Sequence, residues 1–147
     1  MRISHNRDSV MSIDRKIGRR DKLVYLLLAP KPQKYLRGKS RIVYVGTTEK
    51  GISRIASSVA TRSEAIFSRR GIRTIEVQVV WSAPLRGIRS WRLLERAILA
   101  EFLSFYGALP DCNRQGKHYK WDPKVSRYFK RNAVTNLLSQ FDPKRGR

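Results

Sequence analysis

Ile42–Arg54, reading IVYVGTTEKGISR, combines a short strand, a polar turn and the start of a helix, and the rest of the chain can be placed around it. Tyr44 lies on one face of the predicted strand, which ends at Gly46, and Arg54 follows eight residues later on the helix. A tyrosine, a glycine that permits close backbone approach and an arginine are groups that can grip a phosphate. The stretch therefore predicts a phosphate-binding corner between a strand and a helix.

The charge balance of the chain indicates a polyanionic partner. Its 147 residues include 32 Lys and Arg against 11 Asp and Glu, a formal net charge of +21, and 41% of them are hydrophobic. That apolar fraction suits one domain with a moderate core, while the excess of positive charge favours nucleic acid as the partner. An anionic membrane is the alternative, but the longest apolar run, Leu23–Ala29, is too short to span a bilayer.

The small number of cysteines and histidines bears on the cellular compartment of the protein and on the kinds of metal site it can form. Cys112 is the only cysteine, and His5 and His118 are the only histidines. An internal disulfide is excluded on these numbers, and a zinc site of the Cys/His type is not expected. The first twenty residues lack the apolar segment of a signal peptide. We therefore expect a cytoplasmic protein.

The first two predicted strands carry the two tyrosines of interest. Leu23–Ala29 is a continuous apolar run, typical of a strand covered on both faces, and the prolines that follow are expected to end it. A long basic loop then leads to the second strand, Arg41–Gly46. If the strands pair antiparallel in a suitable register, Tyr25 and Tyr44 point to the same side of the sheet.

Periodicity predicts two further helices and a third strand. A helix over residues 49–63 has one apolar stripe, and a strand over residues 73–81 alternates between inward and outward side chains. A helix over residues 91–106 follows, with Ser90 as its cap and Gly107 as its stop. The residues expected to face the interior are Ile52, Ile55, Ala56, Val59, Ala60, Ile75, Val77, Val79, Trp81, Trp91, Leu94, Ile98, Phe102 and Phe105.

Two carboxylates and a final helix complete the pattern. Glu95 and Glu101 both lie at the edge of a buried stripe, where a carboxylate needs a partner or a cation, and spacing alone does not separate them. Asp122 and Pro123 open a last helix that runs to about Phe141 with a basic outer face. This order of elements gives an α+β fold with a three-stranded antiparallel sheet flanked by helices.

The order of these elements, with these residues on them, resembles the GIY-YIG nuclease family. Leu23-Val24-Tyr25 stands at the first motif and Tyr44-Val45-Gly46 at the second. Arg54 falls at the family's arginine position, and Glu95 matches its metal-binding glutamate. Leu109–Asn113 looks like the loop that carries the family's asparagine.

The resemblance covers residues 22–118 and leaves a basic segment at each end. Residues 1–21 are polar, and we interpret them either as a flexible arm that lies along a phosphate backbone or as a solubilising tail without another role. Residues 119–147 hold the last helix, which we expect to dock on the core, and a basic tail.

The resemblance implies a metal-dependent endonuclease that hydrolyses phosphodiester bonds, with DNA favoured over RNA. In such a site Glu95 holds one Mg²⁺ or Mn²⁺, and Arg54 binds a phosphate oxygen. One of the two tyrosines acts as general base; Tyr25 is favoured for that role, with Tyr44 orienting the attacking water. Asn113 pins its loop or contacts the phosphate. These five residues are the implied catalytic set.

Other residues near the motifs or on basic segments are expected to bind nucleic acid. They are Gly46, Lys50, Arg62, Lys117, His118, Lys120, Arg127, Lys130 and Arg131. Ser58 stands where many members of the family carry a histidine or tyrosine, one turn after Arg54. Two alternatives therefore stay open: a nucleic-acid-binding module on the same fold that does not cut, and a basic structural component of a ribonucleoprotein assembly.

Overall fold

The structure is a computed structural model that describes residues 20–69 and 71–142, and its α+β architecture confirms the predicted fold class. Three antiparallel strands form one sheet in the order β2-β1-β3. Within the described ranges, none of the helices has the length and apolar character needed to cross a membrane. Most of the predicted N-terminal arm and the last five residues of the tail lie outside those ranges. The elements are β1 (Leu23–Lys34), β2 (Lys39–Thr48), α1 (Gly51–Phe67), β3 (Glu76–Val80), α2 (Ser90–Tyr106), α3 (Pro123–Tyr128) and α4 (Arg131–Ser139).

The central strand, β1, brings the two tyrosines to one side of the sheet. Tyr25 lies opposite Gly46 on β2, and Leu27 lies opposite Tyr44. Because these pairs are two residues apart on each strand, both tyrosine side chains point to the same face. Their ring centroids are 5.9 Å apart. The conditional prediction about the tyrosines is therefore confirmed.

The prediction that two prolines end the first strand is wrong, because β1 and β2 both extend into the predicted basic loop. Pairing between the strands is irregular from Leu28 to Gln33 and then resumes. Pro30 and Pro32 lie in this irregular stretch. A proline lacks the N–H that a regular ladder needs, so an interruption of the pairing accommodates it.

Apolar side chains pack on both faces of the sheet. Val24 and Leu26 of β1 face the cluster that includes α2, whereas Tyr25 and Leu27 face the cluster that includes α1. The continuous apolar sequence of β1 follows from this arrangement, because each of its faces is covered by a helix.

The third strand is shorter and more exposed than its alternation predicts. It spans five residues, and Val77 and Trp81, which were predicted to face the interior, are 41% and 45% exposed. The other two predicted inward residues, Ile75 and Val79, are half-buried against the cluster that includes α1. β3 is an edge strand, and α1 packs on β1 and β2. The helix α1 thus covers β1 and β2 but does not extend over β3.

The first helix begins and ends later than predicted. It runs to Phe67 rather than residue 63, and Ile66 in the added turn is fully buried. Ala60, which was predicted to belong to the apolar stripe, is exposed. The buried side of α1 therefore lies at Ile55 and Ile66, with Ile52 and Val59 packed beside them.

The second long helix is buried on two sides, which a single apolar stripe does not predict. The sheet covers one side, and α3 and α4 cover another. Glu101 and Tyr106 are buried as a result, whereas Phe105 is 37% exposed. Gly107 ends the helix in a left-handed conformation, as predicted. The predicted cap is wrong, because Ser90 is the first helical residue and its hydroxyl donates a hydrogen bond to the Ala83 carbonyl.

The last predicted helix is in fact two helices separated by extended backbone at Phe129 and Lys130. Asp122 caps α3 by accepting a hydrogen bond from the Val125 N–H, as predicted. Val125 and Val134 are nine positions apart and would lie on opposite sides of a continuous helix of about 3.6 residues per turn. The break allows both valines to pack into the core with α2.

Candidate active site

Two tyrosines from neighbouring strands lie over Gly46. A Cβ on this glycine would be 2.7 Å from Tyr25 Cζ, 2.7 Å from its hydroxyl and 2.7 Å from Tyr44 Cε1. Atoms cannot approach this closely without a displacement of one of them. We predicted that Gly46 allows a substrate to approach the backbone, but the space above it is filled by the protein's own rings. The glycine is therefore required for the tyrosine pair itself.

Replacing Gly46 with alanine is expected to destabilise the fold by about 1–3 kcal/mol, the usual cost of inserting atoms into a packed region. The cost should fall in a Tyr25→Ala background, because that change removes two of the three crowded atoms. Urea denaturation of the four proteins of this double-mutant cycle measures the coupling. An equal cost in both backgrounds would contradict the steric explanation.

The helix after the corner places an arginine on the tyrosine pair. The guanidinium carbon of Arg62 lies 4.0 Å from the centre of the Tyr44 ring, which is a cation–π distance. Arg54 lies about two turns earlier on the same broad side and is exposed, and Ser58 between them is half-buried. The sequence predicted Arg54 as the catalytic arginine and Arg62 as a nucleic-acid ligand, and the arginine that contacts the pair is Arg62.

Glu95 on α2 is half-buried and acts on the same pair through its charge. Burial raises the pKa of Glu95, and the charges of Arg92 and Lys117 oppose this rise. Burial also raises the pKa of Tyr44, and the charges of Tyr25 and Glu95 add to it against Arg62. The charge of Glu95 on α2 is therefore felt at Tyr44 on β2.

The structure separates the two carboxylates that spacing left equivalent. Glu101 is 2% exposed and accepts hydrogen bonds from Arg131 Nε at 2.7 Å and from the Thr135 hydroxyl at 2.7 Å. Glu95 accepts no hydrogen bond from any side chain of residues 20–69 or 71–142. Glu101 and Arg131 thus form a structural pair, whereas the oxygens of Glu95 stay available for a ligand.

Glu95 is the residue that would hold the implied divalent cation. No three His, Cys, Asp or Glu side chains come together as a metal site in the described part of the chain. Glu95 would therefore be the single protein carboxylate on Mg²⁺ or Mn²⁺, with water and phosphate oxygens as the other ligands. Magnesium sites often keep several waters and use one or two carboxylates, so this donor set is compatible with the ion.

Asn113 holds its loop against the free edge of β2. Its Oδ1 accepts a hydrogen bond from the Val45 N–H at 2.9 Å, and its Nδ2 donates one to the Val45 carbonyl at 2.8 Å. The Cys112 N–H donates to the Val43 carbonyl at 2.9 Å. Of the two roles predicted for Asn113, the structure shows the pinning of the loop.

Arg69, which the sequence did not single out, ties the loop to the end of α1. Its guanidinium donates to the Asp111 carboxylate at 2.9 Å and to the Asp111 carbonyl at 3.1 Å. No periodic pattern identifies this arginine, because it follows the helix and its partner lies 42 residues away along the chain.

Within the described ranges, the side chains of most basic residues predicted to bind nucleic acid make no hydrogen bond or ring contact. The exceptions are Arg131, which pairs with the buried Glu101, and Arg62, which lies on the Tyr44 ring. Lys117 also acts on the site, since its positive charge lowers the pKa of Glu95 against the effect of burial. The members that are exposed on the surface are Lys50, Lys117, His118, Lys120, Arg127, Lys130 and Arg131.

Replacing Glu95 with glutamine is expected to stabilise the metal-free protein at neutral pH. The pKa of Glu95 is raised above 4.5 in the fold, so its contribution to stability is full below that pH and is lost as the pH rises through the folded-state pKa. Glutamine does not titrate. Thermal denaturation in chelator should therefore show a larger gain for the variant at pH 7 than below pH 4.5. The same gain at both pH values would contradict the desolvation of Glu95.

The candidate site thus brings Tyr25 and Tyr44 together over Gly46, with Arg62 on the Tyr44 ring and Glu95 acting on Tyr44 through its charge. The Asn113 loop is hydrogen-bonded to the edge of β2 beside them. In comparisons with known proteins, no family model, no curated protein and no solved structure matched this chain.

Proposed function

We propose that the protein is a metal-dependent endonuclease of the GIY-YIG type, which hydrolyses phosphodiester bonds in DNA in preference to RNA. The observation that carries the proposal is the pair Tyr25 and Tyr44, which lies under Arg62 and within the field of Glu95. A net charge of +21 supports a polyanionic substrate. As part of the same proposal, the protein works in the cytoplasm on nucleic acid.

Each group has a role that its surroundings support. Glu95 would hold the Mg²⁺ or Mn²⁺, which when bound withdraws charge from a phosphate oxygen and acidifies water. Arg62, with Arg54 about two turns earlier on the same helix, would bind phosphate oxygens by charge-assisted hydrogen bonds. Tyr44 keeps its proton at neutral pH because burial raises its pKa, so it suits the orienting role. Tyr25 would take the proton of the attacking water.

A nucleic-acid-binding module that does not cut is the second candidate. The observation that favours it is the burial of both tyrosines, which are 3% and 8% exposed, because a substrate reaches a buried phenol poorly. The exposed lysines and arginines around the site would still provide affinity for phosphates in a non-cutting protein.

Incubation with supercoiled plasmid and with structured RNA separates the candidates. The proposal expects nicking of the plasmid in Mg²⁺ or Mn²⁺, little cutting of RNA, and none of either in chelator. Binding with a steep salt dependence, but no cutting in any metal, would assign the protein to the non-cutting class. Co-sedimentation with ribosomes in the absence of cutting would instead indicate a structural component of a ribonucleoprotein.

A further inference from the structure

A separate cleft of about 260 Å³ opens where β1 begins and β3 ends, beside the first turn of α2. This volume lies just below the range of about 300–1,000 Å³ typical of sites for drug-sized ligands. It therefore suits a single ring system. The residues that line it and matter here are Arg20, Asp21, Lys22, Trp81, Ser82 and Trp91.

The cleft combines flat aromatic surface with positive charge. Trp81 is 45% exposed, and the guanidinium carbon of Arg20 lies 4.8 Å from its ring centre. Lys22 Nζ lies 4.6 Å from the ring centre of Trp91. Aromatic rings beside cations are the usual way in which proteins bind single-stranded nucleic acid, since bases stack on the rings and phosphates pair with the cations.

Two residues that line the cleft each have a buried polar atom that lacks a partner among the described residues. These atoms are the indole Nε1 of Trp91 and the hydroxyl oxygen of Ser82. Trp91 is 6% exposed, and its N–H can only donate a hydrogen bond. Buried polar groups in folded proteins are nearly always hydrogen-bonded, because leaving one unpaired costs about 1–3 kcal/mol. Both atoms therefore point to a ligand with acceptor atoms.

We infer that this cleft binds one unpaired nucleotide of a nucleic-acid strand. The base stacks on Trp81, and its edge accepts a hydrogen bond from Trp91 Nε1 and pairs with the Ser82 hydroxyl. Arg20 and Lys22 contact the adjacent phosphates. Asp21 also lines the cleft, and its carboxylate disfavours a free nucleotide that carries a terminal phosphate of higher charge than a phosphodiester.

The position of the cleft relates it to the candidate active site. Trp91 lies one helical turn before Glu95 on α2, which corresponds to about 6 Å along the helix axis. A base held against Trp81 would thus bring a neighbouring phosphodiester towards Glu95. This step rests on the proposed function, and it predicts cleavage beside an unpaired nucleotide, as in a single strand, a bulge or a branch.

Binding measured in chelator tests the cleft without any cutting. The probe is a fluorescein-labelled single-stranded DNA, compared with the perfect duplex of the same sequence by fluorescence anisotropy. Trp81→Ala is expected to weaken single-strand binding about tenfold, the usual loss for one stacked base, and to leave duplex binding unchanged. Trp81→Phe should retain most of the affinity, because it keeps a ring.

The matched control is Phe67→Ala, since Phe67 is a similarly exposed aromatic residue outside the cleft lining, 44% accessible at the end of α1. It should bind both probes as the wild type does. Wild-type affinity of Trp81→Ala for the single strand would overturn the inference, and so would equal losses on single strand and duplex. The inference would also be overturned if a free mononucleotide, at the same concentration as the single-stranded DNA, displaced that DNA from the protein. Because no metal is present, a failure here is distinct from a failure to cut plasmid.

Discussion

Glu95→Gln is expected to reduce metal-dependent cleavage of plasmid by at least about a hundredfold, which corresponds to about 2.7 kcal/mol of activation free energy. The substitution preserves the size of the side chain and removes the charge that would hold the cation. Binding of uncut DNA in chelator should be unchanged or tighter, because a negative charge is removed from the path of the phosphates. Rates of nicking and binding isotherms, measured on the same preparation, check the two expectations together.

Two further variants test whether a loss of cleavage in Glu95→Gln comes from the candidate site. Glu76 is an exposed carboxylate at the start of β3 that pairs with Arg41 at 3.0 Å, so Glu76→Gln removes one charge outside the candidate site and should still cut. Tyr25→Phe should lose cleavage and keep its fold, because only a hydroxyl is deleted. Cleavage by Glu95→Gln at the wild-type rate would remove Glu95 from the mechanism.

Arg131→Ala is expected to destabilise the fold by about 1–3 kcal/mol, the cost of leaving a buried polar group without its partner, because Arg131 is itself 53% exposed and solvent screens part of the attraction. The variant leaves the carboxylate of Glu101 buried at 2% exposure with only the Thr135 hydroxyl as donor. The pair joins α2 to α4, so we expect the whole domain of the variant to unfold at a lower urea concentration than the wild type.

Two further variants show whether burial of the charge is the cause. Lys130→Ala, at the exposed neighbouring position, should leave the free energy of unfolding within about 0.5 kcal/mol of the wild type. The double variant Glu101→Leu with Arg131→Leu should recover much of the loss, because no charge then remains buried. A cost for Arg131→Ala no larger than that for Lys130→Ala would show that the pair is not structural.

The period of the apolar residues predicted the helices and strands because each of them buries one face. The period did not predict burial where a helix is packed on two sides or where one side of a strand has no neighbour. Glu101 became buried because α2 is packed on two sides, and Trp81 stayed exposed because β3 is an edge strand. The break at Phe129 could not be predicted from α3 and α4 alone, since it depends on the surface of α2 that both must meet.

The sequence indicated most residues of the candidate site, but it did not indicate which of them contact one another. The spacing of Tyr25, Tyr44 and Gly46 fixed their positions on neighbouring strands, and the observed register then set the rings over the glycine. Spacing could not decide whether Arg54 or Arg62 contacts the pair, because both lie on the same broad side of α1. Which arginine contacts the tyrosines depends on how α1 packs against β2.

The loop pinned by Asn113 also protects the protein from self-association. β2 is an edge strand, and such a strand presents outward N–H and C=O groups to which another chain can add. Asn113 occupies both backbone groups of Val45, and the Cys112 N–H occupies the carbonyl of Val43. The loop thus covers the middle of the edge in the place of a fourth strand. If the proposed polyanionic partner brings copies of the protein together, this cover would oppose their aggregation through the edges of their sheets.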